Sequence, residues 1–545
     1  MRINIFLLAF FLLVSCGKQQ TAVSSSDAPR IVNIINFIRQ LEPRASDPDM
    51  MQDELYETVV EQIKQLKRHD LPGTFLLQYD ALLNPKYQEL LKNSGFEVGA
   101  WWEITQPHVE AVGLEWRGCF PWDWHADVGF ATGYTPEERE KLVDEYMVQF
   151  KAIFGKYPAS VGSWFIDAHT LGYMYDKYHI VASCNCKDQI GTDGYTLWGG
   201  YWNQAYYPSR KNAYMPAQTE SGQIPVPIFR MLGSDPIYQY DTGLGGNRQG
   251  VISLEPVYRD AGGKRSWVEW FFRSMFDEPC LAFNYVQAGQ ENSFTWKRMK
   301  EGLEIQIPLL DSLQKQGKVR IETLETSGRW FRENYPLTPA TAVTALTDYQ
   351  NLNNKAVWYN SRFYRVNLMW EGASFRFRDV HLFDERMESD YLTKAGTSNQ
   401  CIFTTLPFID GFLWSSKDKK AGLRLTDKDG NRPAVNAPVV SELPDNVLQV
   451  EFSTVSKQTF RIVFYEDRFE MVCTKGGTDW FLELETAPNA ELPFCSVENN
   501  QIKASLNGVD YSVIFEKGLV EKTDNSLFRI KPDKGKIVIN CSKRI

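Results

Sequence analysis

From residue 30 to about 330 the chain alternates short apolar runs with amphipathic stretches, and that alternation admits few folds. The apolar runs are Arg30–Ile38, Thr74–Gln78, Phe96–Ile104, Val161–Ile166, Ile180–Cys186, Ile224–Leu232, Cys280–Val286 and Val319–Leu324. They are apolar at nearly every position, as strands covered on both faces are. Between them lie helical patterns at Asp53–Arg68, Pro85–Leu91, Thr135–Phe154, Ala168–Lys177, Ser266–Phe276 and Ser293–Gln316. Thr135 suits a helix N-cap, Pro136 the first turn, and Glu137 and Glu138 the positive end of the helix dipole. Seven or eight strand–helix units in some 300 residues predict an α/β fold: an irregular seven- or eight-stranded β/α barrel over residues 30–335.

After Tyr335–Pro339 the pattern changes. Strand-like runs follow one another with turn signals such as Asp429-Gly430 and Asn507-Gly508, and helical stretches are hard to find. Residues 340–545 read as a C-terminal all-β sandwich.

The N-terminus reads as a targeting segment. Met1-Arg2 precedes an apolar run from Ile5 to Val14, too short to span a membrane, and then Ser15-Cys16-Gly17. Residues 1–15 are expected to be a signal peptide. Residues 16–29, polar and rich in Ser and Thr, read as a flexible tether. Eight further cysteines are irregularly spaced, without a zinc pattern; Cys184 and Cys186 read as core thiols. A net charge of −9 argues against a nucleic-acid partner.

In a parallel barrel, chemistry gathers at the carboxyl ends of the strands. Those ends carry Asn36, Arg39 and Glu42; Gln78 and Asp80; Trp101, Trp102 and Glu103; Asp167 and His169; Asn185, Lys187 and Asp188; Ser234 and Asp235; and Gln287, Gln290 and Glu291. The loop after the third strand adds Trp122, Asp123, Trp124, His125 and Asp127. Carboxylates, amides and indoles on one rim suit a glycan substrate. Asp167, just before Ala168, equally suits a helix cap. The glycine- and aromatic-rich loop Tyr195–Tyr207 offers Trp198 and Trp202 either as walls for a sugar or as a lid on the barrel core.

Four stretches, WDWHADVGFATGYTPEERE, GSWFIDAHT, CNCKDQIGTDGYTLWGGYWNQAYYPS and QAGQENSFTW, resemble the glycoside hydrolase/deacetylase superfamily. The resemblance is strongest to the glycoside hydrolase/deacetylase lipoproteins of gut Bacteroidetes and extends over the mature chain. It implies a lipid on Cys16, cleavage before that residue, and a place in the cell envelope, anchored to a membrane on its periplasmic side or at the cell surface. Deacetylases of the superfamily hold a divalent metal with an Asp pair after strand one and histidines after strand three. Here those places read Asn36 and Trp101, so no cofactor is expected. The hydrolase branch implies a nucleophile at Asp167 and an acid/base at Glu291, whose pKa should rise among Phe294 and Trp296. Glu103, His125, Asp127, His169, Asp188, Trp198, Trp202, Asp235, Gln287 and Gln290 are the expected substrate contacts. The leading expectation is a glycoside hydrolase. The alternatives are a glycan deacetylase with an altered metal site, or an inactive glycan-binding lipoprotein.

Overall fold

The first strand, Arg30–Ile38, is buried from its second residue on, and its continuous apolar run is what a strand at the centre of a covered sheet requires. In the computed structural model, which describes residues 28–40, 48–192, 194–522 and 528–543, this strand organises a nine-stranded sheet. Seven strands run parallel in the spatial order Asn284–Ala288, Arg30–Ile38, Thr74–Leu77, Glu97–Trp101, Ser160–Gly162, Ala182–Asn185 and Ile228–Arg230. Arg320–Glu322 adds to the first strand, and Ala205–Tyr206 runs antiparallel to Ile228–Arg230. The sheet curls into a nearly closed barrel.

Closure between Ile228–Arg230 and Asn284–Ala288 is made by side chains. Gln287 Oε1 accepts from the Leu232 amide at 2.8 Å, and Gln204 Nε2 donates to Asn284 Oδ1 at 2.7 Å. Helices cover the outside. In Pro136–Phe154 the capping box is complete, Thr135 taking the Glu138 amide and Glu138 returning to the Thr135 amide, while Leu142, Val143, Tyr146, Met147 and Phe150 face the core.

From Thr341 onward the structure is all β. A nine-stranded and an eight-stranded antiparallel sheet enclose a second core that includes Trp370, Phe377, Phe464, Phe469 and Trp480. A segment from this sandwich returns to the barrel, where Cys401–Thr404 pairs in parallel with Tyr195–Trp198, itself hairpinned to Gln189–Thr192. The described cysteines are all free, and Cys184 and Cys186 are fully buried. Among the described residues no helix is long and apolar enough to cross a membrane. The expected signal peptide, the expected tether as far as residue 27, and Cys16 lie outside the described residues.

Candidate active site

The seventh strand ends in a sharp turn at Gly289, whose φ of +95° favours glycine; a Cβ there would overlap the carbonyl oxygen of Ile35. That close approach brings the next three residues against the first strand. Asn292 clamps the backbone of Arg39, accepting its N–H and donating to its C=O, each at 2.9 Å. Gln290 donates through Nε2 to Glu255 Oε2 at 2.9 Å, and its Oε1 accepts the backbone N–H of Glu291 at 2.8 Å. One amide side chain thereby ties two carboxylate residues together.

Arg39 serves two carboxylates. It grips Glu103 through Nε and Nη2 at 2.9 and 2.5 Å, and Glu103 also accepts from Gln78 at 3.0 Å and the Trp164 indole at 2.9 Å. Its Nη1 lies 2.9 Å from Glu291 Oε2 without the alignment of a hydrogen bond. The guanidinium stacks 4.4 Å from the Trp122 ring centre. Burial is the main force on Glu291, and its pKa rises to about 7. Arg39 pulls it down, as does the Ser293 hydroxyl donating at 2.5 Å, while Glu103 and Glu255 push it up. Because Arg39 is already neutralised by Glu103, its pull on Glu291 does not overcome burial.

Glu255 faces this group from the irregular segment after the sixth strand, with Oε1 accepting from Ser253 at 2.8 Å. Glu255, Glu291, Arg39 and Lys187 line a cleft of about 330 Å³. Its walls are aromatic: Trp122, Trp124, Phe130, Trp164, Tyr195, Tyr258 and Phe294.

Of the expected site residues, Glu291 lines this cleft, and Glu103 and Gln290 support it from behind. Gln287 is spent on barrel closure. Asp167 is elsewhere: it is fully buried, its carboxylate caps helix Ala168–Tyr178 through the Thr170 amide at 2.9 Å, and it pairs with Arg139 at 2.9 Å. The cap reading of Asp167 is the correct one. Asp167 lies outside the residues that line the cleft, and both its oxygens are engaged, Oδ1 by Arg139 and the Thr170 amide and Oδ2 by the Thr170 hydroxyl.

Asp188 is pinned between Arg230 at 2.6 Å and Arg365 at 2.5 Å, the latter from the sandwich. Asp235 closes a turn by accepting the Ile237 and Tyr238 amides and the Trp267 indole. Trp198 donates to Asp410, and Trp202 lies flat on Trp358 with ring centres 3.7 Å apart. Both indoles are buried, so Trp198 and Trp202 wedge between barrel and sandwich, and Tyr195 alone of the loop's aromatic residues lines the cleft. His125 pairs with Asp123 at 2.5 Å and stacks on Trp124, Asp127 is half-buried just beyond, and His169 pairs with Glu140 at 3.0 Å; all lie outside the cleft lining. Sequence reasoning named Arg39 and Lys187 as strand ends without assigning them roles, and it missed Glu255.

The residues at the superfamily's metal positions do not fit a metal. Asn36 is buried and accepts the Gln290 amide at 3.3 Å, and Trp101 packs flat on Phe37 at 4.1 Å. Among the described residues no three His, Cys, Asp or Glu side chains are grouped to hold an ion.

No protein-family model and no curated protein matches the chain. Solved structures do. A protein from Parabacteroides distasonis, named as a candidate glycoside hydrolase/deacetylase, aligns with a TM-score of 0.50 at 16% identity, covering 71% of this chain and 92% of that one. Proteins named as polysaccharide deacetylases from Mycobacterium smegmatis and Pseudomonas aeruginosa align over 58% of this chain at TM-scores of 0.36 and 0.38, with 12% and 13% identity, covering 95% and 97% of their own lengths. The chain shares its fold with the Parabacteroides distasonis protein.

Proposed function

We propose that the protein is a carbohydrate-active enzyme that hydrolyses a glycosidic bond, with Glu291 as general acid and Glu255 as the second carboxylate. The observation that carries the reading is Glu291, its pKa raised to about 7, beside Glu255 in an aromatic-walled cleft. Glycoside hydrolysis needs one carboxyl group that keeps its proton and one that does not. Glu291 passes its proton to the glycosidic oxygen as the C–O bond breaks. The carboxylate left behind is balanced by Arg39, 2.9 Å away. Glu255 attacks the anomeric carbon or takes the proton of an attacking water. The indoles pack against the C–H faces of the sugar rings. The names of the similar structures, glycoside hydrolase/deacetylase and polysaccharide deacetylase, agree with a glycan substrate.

The test is a glycan panel scored for both new reducing ends and acetate, with Glu291→Gln and Glu255→Gln as controls. Reducing ends that vanish in both variants support the proposal. Acetate without reducing ends makes the protein a deacetylase, and binding without turnover makes it a glycan-capture protein. We further propose that Cys16 carries a lipid that holds the enzyme in the cell envelope; labelling with a radioactive fatty acid, lost in Cys16→Ser, tests this.

A further inference from the structure

Lys187 lines the cleft, is 2% exposed, and its ammonium has no hydrogen-bond partner among the described residues. Its position is imposed by its neighbours. The Cys186 amide bonds the Trp164 carbonyl at 2.9 Å, and Asp188 is held by Arg230 and Arg365. The backbone on either side is therefore tied down, and the side chain stays in the cleft. A buried ammonium without a counter-ion is costly, and native folds pair such groups. The nearby carboxylates are engaged otherwise: Glu255 by Ser253 and Gln290, and Glu291 beside Arg39 and Ser293. At the same cleft Arg298 is exposed and stacks 4.9 Å from the Phe294 ring.

Resting on the glycan reading above, we propose that Lys187 is an anion subsite, and that the sugar held in the cleft carries a negative group, a uronic carboxylate or a sulfate ester, seated on Lys187 Nζ. The bound anion supplies the counter-charge that the free protein lacks, and in this enclosed site the pair is screened little by salt.

The test is a titration of the full chain, read by quenching of the cleft tryptophans, with glucose, glucuronic acid and glucose 6-sulfate at 0.15 M salt. Wild type should bind an acidic sugar on the order of tenfold more tightly than glucose, as one charge-assisted contact gives. The preferred acid identifies carboxylate or sulfate. Lys187→Met should bind all three like glucose, Lys187→Arg should restore part of the preference, and Arg298→Gln should keep it. Without sugar, Lys187→Met should melt no lower than wild type, since it removes an unpaired buried charge. Equal binding of glucose and both acids by wild type, or a preference that survives Lys187→Met, overturns the subsite while leaving the glycosidase reading intact. Failure of all three sugars to bind overturns both.

Discussion

Arg39 and Glu291 meet at 2.9 Å across the first and seventh strand ends, yet Glu291 holds its proton up to about pH 7. The guanidinium is shared with Glu103, and burial decides the balance. The pH dependence of activity follows from this pair.

Activity that needs protonated Glu291 should fall above pH 7, by about tenfold per unit in kcat/KM once the group is ionised. Stability has the same sign. Below about pH 4.5, the ordinary value, folded and unfolded chains both carry the proton; between there and about 7 only the folded chain does. The stabilisation is therefore lost as pH rises through about 7. Glu291→Gln should abolish turnover and lessen the decline in stability between pH 5 and 8, the remainder coming from buried Asp80 and Asp235, whose pKa values rise to about 7 and about 6, as measured by urea denaturation at several pH values. An unchanged pH–rate profile in a still-active variant would remove Glu291 from the chemistry.

Arg39→Met strands Glu103, whose side chain is fully buried. Breaking such a pair costs about 3–5 kcal/mol. Adding Glu103→Gln should recover much of that loss, which a double-mutant cycle by chemical denaturation will measure. Activity should not recover, because the carboxylate of Glu291 still lacks its counter-charge.

Asp167→Ala should lower stability by about 3–5 kcal/mol, since Arg139 is buried at 0% side-chain exposure and loses its counter-ion. Asp167→Asn keeps part of the cap and should lose less. Turnover per folded molecule should stay near wild type in both. A loss of kcat on the order of a thousandfold in well-folded Asp167→Asn would return Asp167 to the catalytic set.

Trp202→Ala removes one face of the stack on Trp358 and should cost about 3–5 kcal/mol without altering KM. Trp122→Ala should do the reverse. It leaves the fold nearly intact, exposes Arg39 to water, and raises KM severalfold. Melting temperatures and steady-state kinetics on the two variants separate these roles.

The barrel was legible because its strands are mostly apolar runs and its helices announce their caps, as Thr135 and Pro136 do. Glu291 was legible because it ends such a strand among aromatic residues. Glu255 was not: residues 232–264 have no period, and Ser253 and Gln290, which orient it, are in no readable register with it. Trp198 and Trp202 misled for a different reason. A flat ring awaiting a sugar and one awaiting Trp358 or Asp410 have the same local composition, and the partner lies far along the chain. Asp167 carried both meanings in one residue, and only the position of Arg139 decides between them.

The parallel pairing of Cys401–Thr404 with Tyr195–Trp198 joins strands separated by about two hundred residues. It sets an order of events for a chain made from its amino end. When the last barrel helix, Leu324–Asn334, has been synthesised, the hairpin beside the cleft still has an open edge, Trp202 lacks its cover, and Arg139 lacks the carbonyls of Tyr391 and Lys394. The barrel acquires these contacts only once the sandwich residues are present. Until residue 404 emerges, the chain carries an open strand edge at Tyr195–Trp198 of the kind that invites aggregation.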